Sequence, residues 1–252
     1  MQIETGYVDI EVDGRPMRTF VAAPVGVERY PGVLFYTDIF QLTESSLRWV
    51  RRLASYGFVV AAPEIYHRIE PADTVLTFDD VGKERGQADV EALTVAQFEV
   101  DIDAALEWLR SYPRVRPGSV GVTGHCTGGH LAFLAAMRPE VAAAACWYPT
   151  GLDTGKLGAD ADAGSLQRAS EIEGELLLIF GGRDPHTSAA GRSQIQAELE
   201  RAGTQLTITV YDAAEHAFGR DIGERYDAEL TDRAFAETVA FLRKRLEVGS
   251  GT

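Results

Sequence analysis

The first residues of the chain alternate between apolar and polar side chains, as a half-buried β-strand does. From residue 8 to residue 12 the apolar side chains fall on one face and the acidic ones on the other. Asp13-Gly14 then has the composition of a tight turn, and residues 19–22 follow as a second strand-like segment. The pattern predicts an antiparallel β-hairpin at the start of the chain.

The rest of the chain alternates short apolar runs with longer amphipathic segments. The short runs are typical of buried parallel strands, which we predict at about residues 33–36, 58–62, 119–123, 142–147, 175–180 and 206–211. Helical spacing of apolar residues predicts helices at about residues 44–54 (with Thr43 as N-cap and Gly57 after the end), 94–111, 130–137, 189–202 and 230–246. Two polar stretches, residues 63–91 and 149–174, are predicted to be surface loops. Strands that alternate with helices indicate an α/β fold, a mostly parallel sheet with helices on both faces.

The composition is that of an ordinary globular protein with an excess of acid. Of the 252 residues, 45 % are hydrophobic and 25 % are charged, and the formal net charge is −14. This charge argues against nucleic acids and anionic membranes as partners, because both are themselves negative. The N-terminus lacks the basic and apolar regions of a signal peptide, and no apolar run approaches the ~20 residues of a membrane span. We therefore expect a cytoplasmic protein with one domain over residues 1–248 and a flexible tail over residues 249–252.

A glycine-rich segment after the fifth predicted strand carries the most informative residue of the chain. Cys126 lies in the run Gly124-His125-Cys126-Thr127-Gly128-Gly129, between a predicted strand and a predicted helix. This is the pattern of a nucleophile elbow, with cysteine where serine is commoner. The start of the following helix favours negative charge and hence a thiolate. The alternative is a glycine-rich turn that holds a small buried cysteine. The other cysteine is Cys146, so no disulfide framework is indicated.

Polar residues follow two later strands at the same predicted edge of the sheet. Asp184 comes after the strand at 175–180, and His216 comes after the strand at 206–211. Nucleophile, acid and histidine thus occur in the chain order of α/β-hydrolases, which predicts a Cys126–His216–Asp184 catalytic triad. Taken singly, Asp184 is equally an acid of an Asx turn, and His216 is equally an ordinary loop histidine. His186 is a competing base, but it shares a strand end with the acid that it would have to face.

These motifs, together with Glu215-His216-Ala217-Phe218 and Asp38-Ile39-Phe40, resemble the dienelactone hydrolase (carboxymethylenebutenolidase) family over nearly the whole chain. The resemblance implies an α/β-hydrolase fold and the triad named above. It also implies an oxyanion hole formed by the backbone amides of Ile39 and Thr127. The family has an acidic residue, typically glutamate, at the position of Asp38, where it contacts the resting thiol and takes up its proton. Asp38 is therefore a candidate thiol-gating residue, and the alternative is an acid placed near the start of the first helix.

Two further residues match positions that bind substrate in the family. Arg220 lies four residues after His216, where the family has an arginine for the substrate carboxylate; the alternative is surface pairing with Asp221 or Glu224. Tyr148 follows the strand after the elbow, where the family has pocket aromatics; the alternative is plain packing. The family has a second substrate cation in the polar stretch that corresponds to residues 63–91. Lys83 and Arg85 are both available there, and neither is assigned.

The predicted function is hydrolysis of a small-molecule lactone or ester, most specifically an anionic enol lactone, through a cysteinyl intermediate. One alternative is a general carboxylesterase of neutral esters, and another is a non-catalytic ligand-binding protein on the same fold. No residues with metal-ligand or phosphate-loop spacing occur, so we expect no cofactor and no metal. We expect a monomer or a small homo-oligomer.

Overall fold

The computed structural model describes residues 1–246, so the predicted tail at residues 249–252 lies outside the described residues. The chain begins with strands β1 (Ile3–Val12) and β2 (Arg15–Pro24), which pair antiparallel over their whole length. The two turn residues both have positive φ, 51° at Asp13 and 75° at Gly14. Such a turn matches the right-handed twist of the flanking strands, and it confirms the predicted hairpin.

The hairpin continues into one eight-stranded sheet with the order β1-β2-β4-β3-β5-β6-β7-β8. The remaining strands are β3 (Tyr30–Tyr36), β4 (Val59–Pro63), β5 (Val115–His125), β6 (Val141–Trp147), β7 (Glu175–Gly181) and β8 (Gln205–Tyr211). β4 pairs antiparallel with β2, and every later pairing, from β4–β3 to β7–β8, is parallel. The predicted mostly parallel sheet with an antiparallel N-terminal hairpin is therefore confirmed.

Helices cover both faces of this sheet. They are α1 (Glu44–Ser55), α2 (Asp80–Glu91), α3 (Val95–Ser111), α4 (Thr127–Ala135), α5 (Ala189–Ala202) and α6 (Ala228–Leu246). One core contains apolar residues of α3, α4 and α5, and a second core contains those of α1 and α6. Successive residues of β7 alternate between the two cores, because side chains of a strand point to opposite faces. Among residues 1–246 no helix is long and apolar enough to cross a membrane.

The prediction of a loop over residues 63–91 is wrong at its end, because α2 occupies Asp80–Glu91. This helix buries only Gly82 and Gly86, so its sequence has no apolar stripe from which to predict it. It begins at Asp79, whose side chain accepts a hydrogen bond from the Gly82 amide at 2.8 Å. The second polar stretch, residues 149–174, contains a 3₁₀ turn at Ala169–Glu171 and is otherwise irregular. No α-helix or strand is assigned between Pro149 and Gly174.

Candidate active site

The turn between β5 and α4 presents Cys126 at the carboxyl edge of the sheet. Its backbone is in a strained conformation, with φ 58° and ψ −121°, as expected where a strand reverses directly into a helix. Gly124 and Gly128 are required at this turn. A Cβ on Gly124 would clash with the carbonyl of Gly128, and one on Gly128 would clash with the carbonyl of Tyr36. The predicted elbow is therefore present, and its glycines serve close backbone approach.

The structure brings the three predicted triad residues into one hydrogen-bonded chain. The Sγ of Cys126 lies 3.2 Å from Nε2 of His216, and Nδ1 of His216 lies 2.7 Å from Oδ2 of Asp184. The other carboxylate oxygen of Asp184 accepts a hydrogen bond from the His186 amide at 2.8 Å. Since a carboxylate only accepts, the proton shared with it belongs to Nδ1, which leaves Nε2 facing the thiol.

The charges and hydrogen bonds within the triad favour the protonated form of His216. Burial by itself would lower the pKa of His216, but the charge on Cys126 and the hydrogen bond with Asp184 outweigh burial and raise the pKa to about 9. Burial would raise the pKa of Asp184, but hydrogen bonding to His216 and to the His186 amide keeps that pKa below its ordinary value. An ionised Asp184 next to a protonated His216 is the partner that a thiolate at Cys126 needs.

The two amides predicted for the oxyanion hole have no competing partner. Ile39 lies in the loop after β3, and Thr127 is the first residue of α4. Within residues 1–246 neither backbone N–H donates a hydrogen bond, whereas the amide of Phe40, next to Ile39, donates to Asp38 at 3.0 Å. The Thr127 amide lies directly after Cys126 in the elbow, and the Ile39 amide lies just beyond the end of the neighbouring strand. A negative charge that develops on a substrate carbonyl at Cys126 would need donors at these places.

Asp38 is placed beside the site but not against the thiol. Its Oδ1 accepts from the Phe40 amide, and its Oδ2 accepts from Arg220 at 3.2 Å. Neither oxygen has a hydrogen bond with Cys126 among the described residues, and the thiol-gating role of Asp38 stays a prediction. Burial raises the pKa of Asp38, and the guanidinium of Arg220 opposes that rise.

Arg220 does not make the surface pairing that was the alternative to a binding role. Asp221 instead makes a bidentate ion pair with Arg48, at 2.5 and 2.8 Å. The Arg220 guanidinium lies over the rings of Phe40 and Phe78, 4.9 and 4.8 Å from their centroids. Its side chain is 22 % exposed, so a cation remains accessible next to Asp38.

Tyr148 supports the site from behind. It is 1 % exposed, and its ring packs edge-on against His216 with 5.1 Å between centroids. So little exposed surface favours the packing alternative over a substrate-facing wall.

The remaining histidines and cations of the sequence analysis have other partners. The ring of His186 packs 4.4 Å from that of His216, on the solvent side, and its amide rather than its ring serves Asp184. His130 bridges the Thr150 carbonyl and Ser165 at 2.8 and 2.7 Å. Of the two unassigned cations, Arg85 forms an ion pair with Glu70, whereas Lys83 is exposed. The pKa of His186 is lowered mainly by burial, and the charge of the nearby Lys83 contributes to this lowering.

Two buried residues beside the oxyanion loop were missed by sequence reasoning. Tyr66 follows β4, and the single proton of its hydroxyl is shared between the carbonyls of Gly86 at 3.0 Å and Ile39 at 3.3 Å. Gln41 accepts from the Tyr66 amide and donates to the Thr74 carbonyl. A single tyrosine or glutamine in a loop has no sequence pattern that distinguishes it, so only the folded contacts identify these two.

The chain resembles known proteins over nearly its whole length. Residues 17–246 match the sequence model of the dienelactone hydrolase family. A putative carboxymethylenebutenolidase of Saccharomyces cerevisiae is 31 % identical over all of this chain and 95 % of the relative. A carboxymethylenebutenolidase of Pseudomonas putida is 26 % identical over 91 % of this chain and 92 % of its own. The crystal structure of a putative dienelactone hydrolase from Klebsiella pneumoniae superposes with a TM-score of 0.82 at 24 % identity, over 97 % of this chain and 100 % of that one. This last likeness bears on the fold alone.

Proposed function

The chain belongs to the dienelactone hydrolase family, and on that premise we propose that it hydrolyses lactones through a thioester formed on Cys126. The observation that carries the proposal is the unbroken relay from Sγ to Nε2 at 3.2 Å and from Nδ1 to the Asp184 carboxylate at 2.7 Å. A nucleophile, a base and an orienting acid at these distances are the arrangement that acyl transfer requires.

The first half of the reaction opens the ring. The Cys126 thiolate adds to the lactone carbonyl carbon, and the resulting oxyanion accepts hydrogen bonds from the Ile39 and Thr127 amides. The C–O bond of the ring then breaks, the carbonyl reforms as a thioester, and the leaving oxygen departs as an enolate or alkoxide. The imidazolium of His216 gives its proton to this departing oxygen, so the leaving group is released as an alcohol or an enol and the imidazole is left neutral.

The second half releases the acid. His216, now neutral, takes a proton from water, and the hydroxide equivalent adds to the thioester carbonyl. Collapse of this tetrahedral adduct expels the Cys126 thiolate and restores the imidazolium beside it. In the tetrahedral adduct that Cys126 would form with an amide, the thiolate leaves more readily than the amine anion. Such an adduct therefore reverts to the amide substrate. Amides are therefore expected to be poor substrates.

An anionic substrate fits the charge around the site. A protein with a net charge of −14 repels anions at long range, so a local cation is needed to hold one. Arg220 is that cation in this proposal, because a guanidinium can grip a carboxylate with two parallel hydrogen bonds. Since Arg220 already pairs with Asp38 at 3.2 Å, a substrate carboxylate has to compete with, or share, that contact.

A hydrolysis panel tests the proposal directly. We expect a dienelactone to be turned over faster than a neutral p-nitrophenyl ester, and an amide not at all. Mass spectrometry during turnover should detect the acyl group on Cys126 and not on Cys146, which is fully buried in β6. A neutral ester turned over faster than the lactone would indicate a general carboxylesterase. No turnover of either, with ligand binding intact, would indicate a binding protein.

A further inference from the structure

The loop that carries the Ile39 amide is held by a residue from a different strand end. Tyr66 is fully buried, and its hydroxyl reaches the Ile39 carbonyl at 3.3 Å and the Gly86 carbonyl at 3.0 Å. In the described part of the chain this hydroxyl is the hydrogen-bond donor for the Ile39 carbonyl. Without it, a part-buried carbonyl would lose its partner, at a cost that favours rotation of the peptide.

The peptide group between Ile39 and Phe40 is thereby fixed at both of its polar ends. Its carbonyl accepts from Tyr66, and its N–H donates to Asp38 at 3.0 Å. Fixing this group fixes the ψ angle of Ile39. The amide of Ile39, on the other side of the same Cα, is the one that has no partner among the described residues. The anchored peptide therefore restrains the Cα of Ile39 and, through it, the free amide on its other side.

Two further contacts make the anchor rigid. The Tyr66 amide donates to the Gln41 side chain at 3.3 Å, and Gln41 donates to Thr74 at 3.1 Å. Gln41 is itself held at φ 66°, a conformation that a non-glycine residue adopts only when its surroundings enforce it. On the other side, α2 approaches so closely at Gly86 that a Cβ there would clash with the Ile39 carbonyl.

We propose that the Tyr66 hydroxyl is a positioning group of the oxyanion hole, which aims the Ile39 amide at the tetrahedral adduct without touching substrate. The inference rests on the proposed function, since it needs an acyl-transfer reaction on Cys126. Burial raises the pKa of Tyr66 well above its ordinary value, so the hydroxyl stays a donor across the working pH range. The role differs from thiol activation, because the relay of Cys126 and His216 has no hydrogen bond with Tyr66.

The test compares two reactions of the same thiol. Acylation of Cys126 by p-nitrophenyl acetate passes through an oxyanion, whereas alkylation by iodoacetamide is a displacement at an sp³ carbon and forms none. Stopped-flow release of p-nitrophenol gives the acylation rate, and mass spectrometry gives the alkylation rate. We expect Tyr66→Phe to slow acylation by at least about tenfold, a fraction of the 10²–10³ that loss of a whole oxyanion donor costs. Alkylation should stay within about twofold, and the loss should appear in kcat rather than in KM.

Tyr36→Phe is the matched control. Tyr36 is also a buried tyrosine, at the end of β3, but its hydroxyl has no hydrogen-bond partner among the described residues. Its removal should leave both rates within about twofold. Gly86→Ala is a second, independent variant, because its methyl group pushes on the same carbonyl, and it should reproduce the selective loss of acylation.

The outcomes separate this inference from the proposed function. If wild-type Cys126 is acylated and Tyr66→Phe acylates at the wild-type rate, the positioning role is wrong while the proposed function stands. Equal slowing of acylation and alkylation in Tyr66→Phe and Gly86→Ala would also overturn it, because that result indicates general loosening of the site. If neither p-nitrophenyl acetate nor a dienelactone acylates the wild-type thiol, the proposed function fails and the inference fails with it.

Discussion

Replacement of His125 by phenylalanine is expected to stabilise the protein. The imidazole lies directly before the nucleophile and is enclosed by the rings of Phe35, Trp49, Trp147 and Tyr148, at centroid distances of 5.2, 4.6, 5.2 and 5.6 Å. Its Nε2 is buried with no hydrogen-bond partner among the described residues. Such an orphaned polar atom costs about 1–3 kcal/mol, which a phenyl ring of similar shape would recover at pH 8.

A lower pH should widen the difference in stability between His125→Phe and wild type. Burial, with a smaller contribution from the charge of Arg220, lowers the pKa of His125 from 6.5 to about 3. The unfolded chain therefore binds a proton that the folded chain does not, and the stability conferred by the neutral imidazole is lost as the pH falls below 6.5 towards 3. At pH 5 this linkage amounts to about 2 kcal/mol, from 1.36 kcal/mol per pH unit. Phenylalanine does not titrate, so the variant escapes the loss.

Urea unfolding of wild type and His125→Phe at pH 8 and pH 5 measures both effects. His130→Phe is the contrasting control: burial also lowers the pKa of His130, to about 4, but this ring makes two hydrogen bonds. We expect His130→Phe to be less stable than wild type at pH 8. At pH 5 the difference between the two free energies of unfolding should move by about 2 kcal/mol in favour of the variant. If the difference in free energy of unfolding between wild type and His125→Phe does not widen on acidification, the conclusion that His125 is buried as a neutral imidazole is wrong.

The remaining predictions concern the reaction. Cys126→Ala should abolish turnover and Cys146→Ala should retain it; full activity with alkylated Cys126 would exclude the covalent mechanism. His216→Ala should lower kcat by several orders of magnitude, and His186→Ala by less than about tenfold; the reverse ranking would make His186 the base. Arg220→Ala should weaken transition-state binding of an anionic lactone by about 1.5–3 kcal/mol in kcat/KM and affect a neutral ester less. Equal losses on both substrates would point to a structural role.

The sequence predicts most of the fold because most of its elements bury apolar side chains with a regular period. The alternation over residues 8–12 in β1 and the helical spacing in α3 are such patterns. Helix α2 escapes prediction for the opposite reason, since glycines and a polar cap hold it against other elements. The strand order, with β4 between β2 and β3, is likewise set by how connections cross the sheet, and no local pattern encodes it.

The triad residues can be predicted because each one lies within five residues of the carboxyl end of a strand, and the carboxyl ends of parallel strands meet at one edge. What the sequence does not contain is how side chains at that edge pair with one another. Asp38 and Arg220 are both predicted near the site, but their ion pair spans 182 residues of chain. Tyr66 acts through a backbone carbonyl, a contact that depends only on tertiary position.

The ion pair changes how the Arg220 experiment must be designed. Removing the guanidinium deletes a candidate substrate contact, but it also leaves the buried Asp38 without its cation, which raises the pKa of that carboxyl further. Asp38 in turn holds the Phe40 amide, in the peptide group that orients Ile39, so the second effect can reach a neutral substrate as well. Arg220→Ala should therefore also be made in an Asp38→Asn background, where no buried charge is orphaned. If Arg220 binds the substrate carboxylate, its loss in that background still lowers kcat/KM for the anionic lactone alone. If Arg220 serves only to neutralise Asp38, the second substitution has no further effect on either substrate.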